Sequence, residues 1–215
     1  MNYILKKVLQ AFVAAICCSS TLACAQAYEQ LLKAVERGEV TAVEKLLDAG
    51  LEPNTADPRG NTILMMAARL GHERLVETLI RRKASVTRRS PHGDSALMMA
   101  ALGGKLPIAR LLIEHGAEVR HSGWTPLHYA AFEGHAPMVG FLLEKGAAKD
   151  DVAPNGYSAL MLAARGGHLE AAKALLYQDA DFRVRGPGGE TALSIAVARG
   201  HGEMVDLLRR AGAAE

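Results

Sequence analysis

Gly123-Trp124-Thr125-Pro126-Leu127-His128-Tyr129-Ala130-Ala131-Phe132-Glu133-Gly134-His135 is the stretch that decides the fold. Thr125 predicts a helix start, because its hydroxyl can accept a hydrogen bond from an otherwise unpaired N–H of the first turn. Pro126 then occupies the first helical position, where no donor is needed and its fixed φ already fits. Leu127, Ala130 and Ala131 fall on one helical face. Gly134 ends this short helix and Pro137 opens a second, with Met138, Val139, Leu142 and Leu143 as its buried stripe. Gly146 follows as a residue free to take the left-handed conformation. The unit is helix, tight turn, helix, loop. Alone it cannot bury its apolar faces, so it needs neighbours.

The neighbours are present. Gly60-Asn61-Thr62-Ile63-Leu64, Gly93-Asp94-Ser95-Ala96-Leu97, Gly156-Tyr157-Ser158-Ala159-Leu160 and Gly189-Glu190-Thr191-Ala192-Leu193 open in the same way. Ala67-Ala68, Ala100-Ala101, Ala163-Ala164 and Ala196 then stand where Ala130-Ala131 stand. The opening glycines are 33, 30, 33 and 33 residues apart. Leu31, Ala34, Gly38, Val43, Leu46, Leu47 and Gly50 keep the frame upstream without the opening motif. A period of 33 residues built of two helices and a turn resembles the ankyrin repeat, over about residues 28–215. The resemblance implies an all-α solenoid of about six stacked helix-turn-helix units with hairpin-like finger loops. The units fall at about 28–59, 60–92, 93–122, 123–155, 156–188 and 189–215.

The first 27 residues stand apart from this frame. Lys6 and Lys7 form a basic start, Val8 to Cys18 is an apolar run broken only by Gln10, and Ala23-Cys24-Ala25-Gln26-Ala27 offers small residues for cleavage. This order predicts a secretory signal cut within Ala25–Ala27. The apolar run is shorter than the ~20 residues a spanning helix needs. Thr21-Leu22-Ala23-Cys24 leaves a second reading, lipidation at Cys24, with the expected leucine one place out of position. Cleavage removes Cys17, Cys18 and Cys24, so the mature chain has no thiol chemistry. It also removes Lys6 and Lys7, taking 25 basic residues to 23 against 23 acidic ones. A formally neutral chain argues against general nucleic-acid binding. These features together predict a soluble periplasmic monomer without stable membrane insertion.

The units differ in telling places. The first has helices expected at Gln30–Glu36 and Thr41–Asp48, with Glu29, Glu36, Arg37 and Glu44 keeping the end wet. Lys83 and Asp179 stand where other units have glycine, so each must take φ > 0 or reshape its turn. Arg81, Arg82, Lys83, Arg88 and Arg89 cluster, either for an anionic partner or as a solvated helix end. The third unit is three residues short between Ala117 and Gly123, which predicts a stunted finger. Arg209 replaces an aliphatic residue of earlier units, as an end repeat requires.

No nucleophile, phosphate-loop or zinc-protease motif occurs, so no catalytic, cofactor-binding or metal-binding residue is assigned. His72, His135, His168 and His201 recur once per repeat, too far apart to share one metal. The ankyrin resemblance implies instead that they knit successive turns together, and that His128 braces its helix start. Met65, Met98 and Met161 match His128 in register and read as core packing. The alternative class is a small enzyme or metal-binding protein using loop Asp residues and His92, His115 and His121. The same resemblance puts the residue after each opening glycine, and the two after each alanine pair, on an exposed concave side. Trp124, Phe132, Tyr157, Arg165 and Arg69 lie there and are the expected contacts to another protein. Trp124, Phe132, Tyr157 and Arg165 are expected to form one patch across the third to fifth units.

Overall fold

The computed structural model describes residues 25–214. Residues 1–24 of the expected 1–27 signal, with the whole of the Thr21–Cys24 lipidation motif, lie outside the described residues. Among the described residues twelve helices follow in pairs: α1 (25–37) and α2 (Val40–Asp48), α3 (Ile63–Leu70) and α4 (Glu73–Arg81), α5 (Ala96–Leu102) and α6 (Leu106–Glu114). Then come α7 (Pro126–Phe132) and α8 (Ala136–Glu144), α9 (Ala159–Gly166) and α10 (Leu169–Tyr177), α11 (Ala192–Arg199) and α12 (Gly202–Arg210). From α3 on, the odd helices form one packed row, α3 on α5 on α7 on α9 on α11. Even helices form the outer row, with α2 against α4, α4 against α6, α8 against α10 and α10 against α12.

The inner helices start as their sequences predict. Thr62, Ser95, Thr125, Ser158 and Thr191 each accept the N–H three residues on. A reciprocal bond closes four of these caps, from the cap N–H to Met65 Sδ, Met98 Sδ, His128 Nδ1 or Ser194 Oγ. Ala67, Ala68, Ala100, Ala101, Ala130, Ala131, Ala163 and Ala164 are all 0% exposed, because small side chains let neighbouring helices approach closely. Val197 holds the place of the second alanine in the last unit and is 49% exposed.

Each inner turn is clamped by the repeat that follows. His72, His135, His168 and His201 point Nε2 at the carbonyls of Glu36, Leu102, Phe132 and Arg165, at 3.0, 3.1, 2.9 and 3.2 Å. The rings lie over Gly38, Gly104, Gly134 and Gly167, where a Cβ would come within 3 Å of the imidazole. In the third unit Lys105 takes the histidine's place, and its stem lies over Gly71 instead.

Three fingers carry a single β-bridge each, Ala56 to Thr62, Arg89 to Ser95 and Val152 to Ser158. The fingers of the third and fifth units have none among the described residues. Lys83 (φ 68°) and Asp179 (φ 56°) take the left-handed conformation expected of them.

Two expectations need correction. The first helix is already formed at residue 25, five residues before the expected start at Gln30. Tyr28 lies inside it and donates its hydroxyl to the Ala56 carbonyl at 2.9 Å, which anchors the helix to the first finger. The residues after the opening glycines are not freely exposed. Asn61, Asp94, Trp124, Tyr157 and Glu190 are all half-buried, because each is engaged with a neighbour described below.

Candidate functional site

The inner helices and fingers of the first four units enclose a cleft of about 760 Å³. Its floor is apolar and pliant: Met65 and Met66 from α3, Met99 and Leu102 from α5, with Leu70 at the edge. Leu70 is 46% exposed, so the floor is not closed over. Arg59, Asn61, Arg69, His92 and Tyr129 complete the lining, with Glu36, Asp57 and Asp94.

Its carboxylates are already engaged, apart from Glu36. Asp57 accepts the N–H groups of Arg59 and Asn61 and the Asn61 side-chain amide, which fixes the finger turn. Asp94 accepts the Tyr129 hydroxyl at 2.7 Å, from one unit to the next. Burial, then this carboxylate, push the Tyr129 phenol well above its ordinary range, so it remains a neutral donor. The Arg59 and Arg69 guanidiniums have no hydrogen bond or ion pair among the described residues.

The aromatic residues of the fourth unit continue the cleft. Trp124 lies against Tyr129 with centroids 5.2 Å apart, and meets Phe132 edge-on at 6.4 Å and His128 at 5.9 Å. Phe132 is 44% exposed. Trp124 therefore covers Tyr129 beside the stunted finger while leaving Phe132 open to solvent.

Tyr157 and Arg165 form a separate pair in the fifth unit, with the guanidinium 5.9 Å from the ring centroid. Tyr157 also donates to Glu190, and this bond is the main reason its phenol titrates above the ordinary value. Among the described residues no hydrogen bond or ring contact joins this pair to the Trp124 set, although α7 and α9 pack against each other. The five expected contact residues thus occupy three stations: Arg69 in the cleft, Trp124 and Phe132 at its end, Tyr157 and Arg165 one repeat further. The pattern of the sequence missed Tyr129, Met66 and Met99 as liners, since each reads as ordinary helix filling.

Other expected candidates resolve locally. In the basic cluster, Arg82 pairs with Asp48, Arg89 pairs with Glu118 at 2.8 Å, and Arg81 bonds Thr78. Among the described residues, no three His, Asp, Glu or Cys side chains come together to hold a metal ion. His128 is 1% exposed. Its Nδ1 accepts the Thr125 N–H, so Nε2 carries the proton and donates to the Asp151 carbonyl at 2.9 Å. His121, in the short finger, donates Nδ1–H to the Ser122 carbonyl and leaves Nε2 buried without a partner among the described residues. No helix among the described residues is long and apolar enough to cross a membrane.

A family model described as ankyrin repeats (3 copies) matches residues 9–90, 31–121, 83–153 and 147–214. No curated protein matches the chain.

Proposed function

Because the chain belongs to the ankyrin-repeat family, we propose that it is an exported binding protein that takes up another protein on its concave face. Ankyrin repeats are generally protein–protein interaction modules, and the family is typically a scaffold without catalysis. The observation that carries the reading is the cleft: an open methionine and leucine floor, with Leu70 exposed at its edge, and two guanidiniums without a partner among the described residues. This moves the centre of binding toward the N-terminal units, with Arg69 inside it and Trp124 and Phe132 at its end. Tyr157 and Arg165 extend the same face. Export to the periplasm is proposed from the order of residues 1–27 alone, with the mature chain monomeric and not bound to nucleic acid.

Affinity capture from cell-envelope extract tests the binding. Wild-type bait retains a protein that Phe132→Asp and Leu70→Asp baits lose, while all three keep the same denaturation midpoint. Equal retention by the three contradicts the reading. Intact mass from fractionated cells tests the export: a chain cut within Ala25–Ala27 is expected. Full-length chain in the cytosol, or lipid on Cys24, overturns the signal or the soluble form.

A further inference from the structure

We propose that the concave face is matched to one kind of partner: a protein segment with an apolar centre and a carboxylate cluster on each side of it. The inference rests on the concave-face reading above and makes it specific.

One position of the inner helix recurs in register, and the clamps between repeats identify it. Glu36, Leu102, Phe132 and Arg165 are the residues whose carbonyls receive the histidine of the next unit. Arg69 holds the same place in the second unit, where the following histidine is replaced by Lys105 and the Arg69 carbonyl lies against Gly103. From the first unit to the fifth this stripe reads Glu36, Arg69, Leu102, Phe132, Arg165. It is a cation, two apolar residues and a cation, with an acid at the far end.

Neither of the two cations has a carboxylate partner among the described residues. Arg82, Arg89 and Arg183 are paired with Asp48, Glu118 and Asp181. Arg69 has no such partner, and Arg165 has only the face of Tyr157, among the described residues. A guanidinium is suited to bind carboxylate in a fork, and stacking on a ring holds it ready to do so. Between them, Leu102 is half-buried and Phe132 is 44% exposed, with Met66 and Met99 beneath as adaptable filling.

The remaining charges sharpen the match. Asp57 and Asp94 are engaged within the fingers. Glu133 is exposed beside Phe132, and Glu36 is exposed beyond Arg69. Both repel a carboxylate placed at the centre or past the N-terminal end, which favours acids opposite Arg69, with Arg59 in the same cleft, and opposite Arg165. Helices in contact lie about 10 Å apart, so Arg69 and Arg165, three repeats apart, are separated by roughly 30 Å. That distance corresponds to roughly nine extended residues or twenty helical ones.

A phage-displayed library of random 20-residue peptides, selected on the immobilised mature protein, tests the proposal. Enriched peptides are expected to carry Asp or Glu on both sides of Leu, Ile or Phe. Their affinity should fall at least about tenfold on the double variant Arg69→Glu/Arg165→Glu, and the loss should shrink at high salt. Selection on that variant should enrich Lys and Arg in the flanks. Both arginines are exposed, so the variant's denaturation midpoint stays that of the wild type. Peptides lost on Leu102→Ala and Phe132→Ala but showing no acidic flanks overturn this proposal and leave concave binding standing. Peptides insensitive to all four changes, or no enrichment at all, overturn both.

Discussion

Lys83 shows how a residue can be forced into a conformation its chemistry disfavours. Its φ of 68° closes the same turn that Gly146 closes at 84°. In both turns the residue bonds three back and its successor bonds five back, Lys83 to Ile80 and Ala84 to Leu79, Gly146 to Leu143 and Ala147 to Leu142. Only glycine takes that φ without steric cost, so Lys83→Gly should raise stability by about 0.5–1 kcal/mol, read as a higher denaturant midpoint. A lower midpoint would show that the lysine makes a compensating contact. His128 makes a second case, governed by protons. Burial lowers its pKa below the ordinary 6.5, so the folded protein holds it neutral where the unfolded chain would charge it. Stability is therefore full above about pH 6.5 and falls as the pH drops toward the folded value, where both states are charged. His121 is shifted the same way, also by burial. Methionine fills the His128 position in the second, third and fifth units and does not titrate. Between about pH 7.5 and 5.5 the midpoint of His128→Met should fall less than that of the wild type, with His121 responsible for what slope remains. An equal fall would mean that His128 does not carry the dependence.

The histidine–glycine clamp joins one helix pair to the next, and its two halves can be separated. Gly134 and Gly146 both have positive φ, at 77° and 84°. A Cβ on Gly134 would lie 2.4 Å from the His168 ring, whereas one on Gly146 would meet nothing within 4 Å. Gly146→Ala should therefore cost about 1 kcal/mol for backbone strain alone. Gly134→Ala should cost more, because the ring must move and its bond to the Phe132 carbonyl weakens. Equal losses in urea unfolding would show that the clamp yields freely. Much at this level was legible in the sequence. Caps at Thr62, Ser95, Thr125, Ser158 and Thr191, the alanine pairs and the turn glycines are local signals with one physical meaning each. The inclusion of residues 25–29 in α1 was not, because Ala25, Gln26 and Ala27 are sound helix formers that also suit a cleavage site. The bond from Tyr129 to Asp94 was also hidden, since it joins residues 35 apart whose meeting depends on the stacking of two units. For the same reason the positions after the opening glycines read as exposed yet are half-buried: neighbouring repeats supply their partners.

Taken whole, the molecule separates scaffold from binding surface. The scaffold is repetitive, stabilised by alanine contacts and histidine clamps between neighbouring units. The concave surface is not repetitive: it runs from the Met66–Met99 cleft, past Trp124 and Phe132, to Tyr157 and Arg165. The candidate contact residues were legible individually, but their grouping was not, because their neighbours come from different repeats. Arg69 gained the cleft around it, and Trp124 with Phe132 and Tyr157 with Arg165 stand on neighbouring repeats of the same face. A photo-crosslinking amino acid placed in living cells, at Phe132 in one strain and at Tyr177 in another, tests the central claim most directly. Both side chains are exposed, Phe132 at 44% on the inner row and Tyr177 at 86% at the end of the outer helix α10. The concave-face account predicts a discrete crosslinked protein from Phe132, abolished by Arg69→Glu/Arg165→Glu, and none from Tyr177. A crosslinked protein from Tyr177 with none from Phe132 would contradict it.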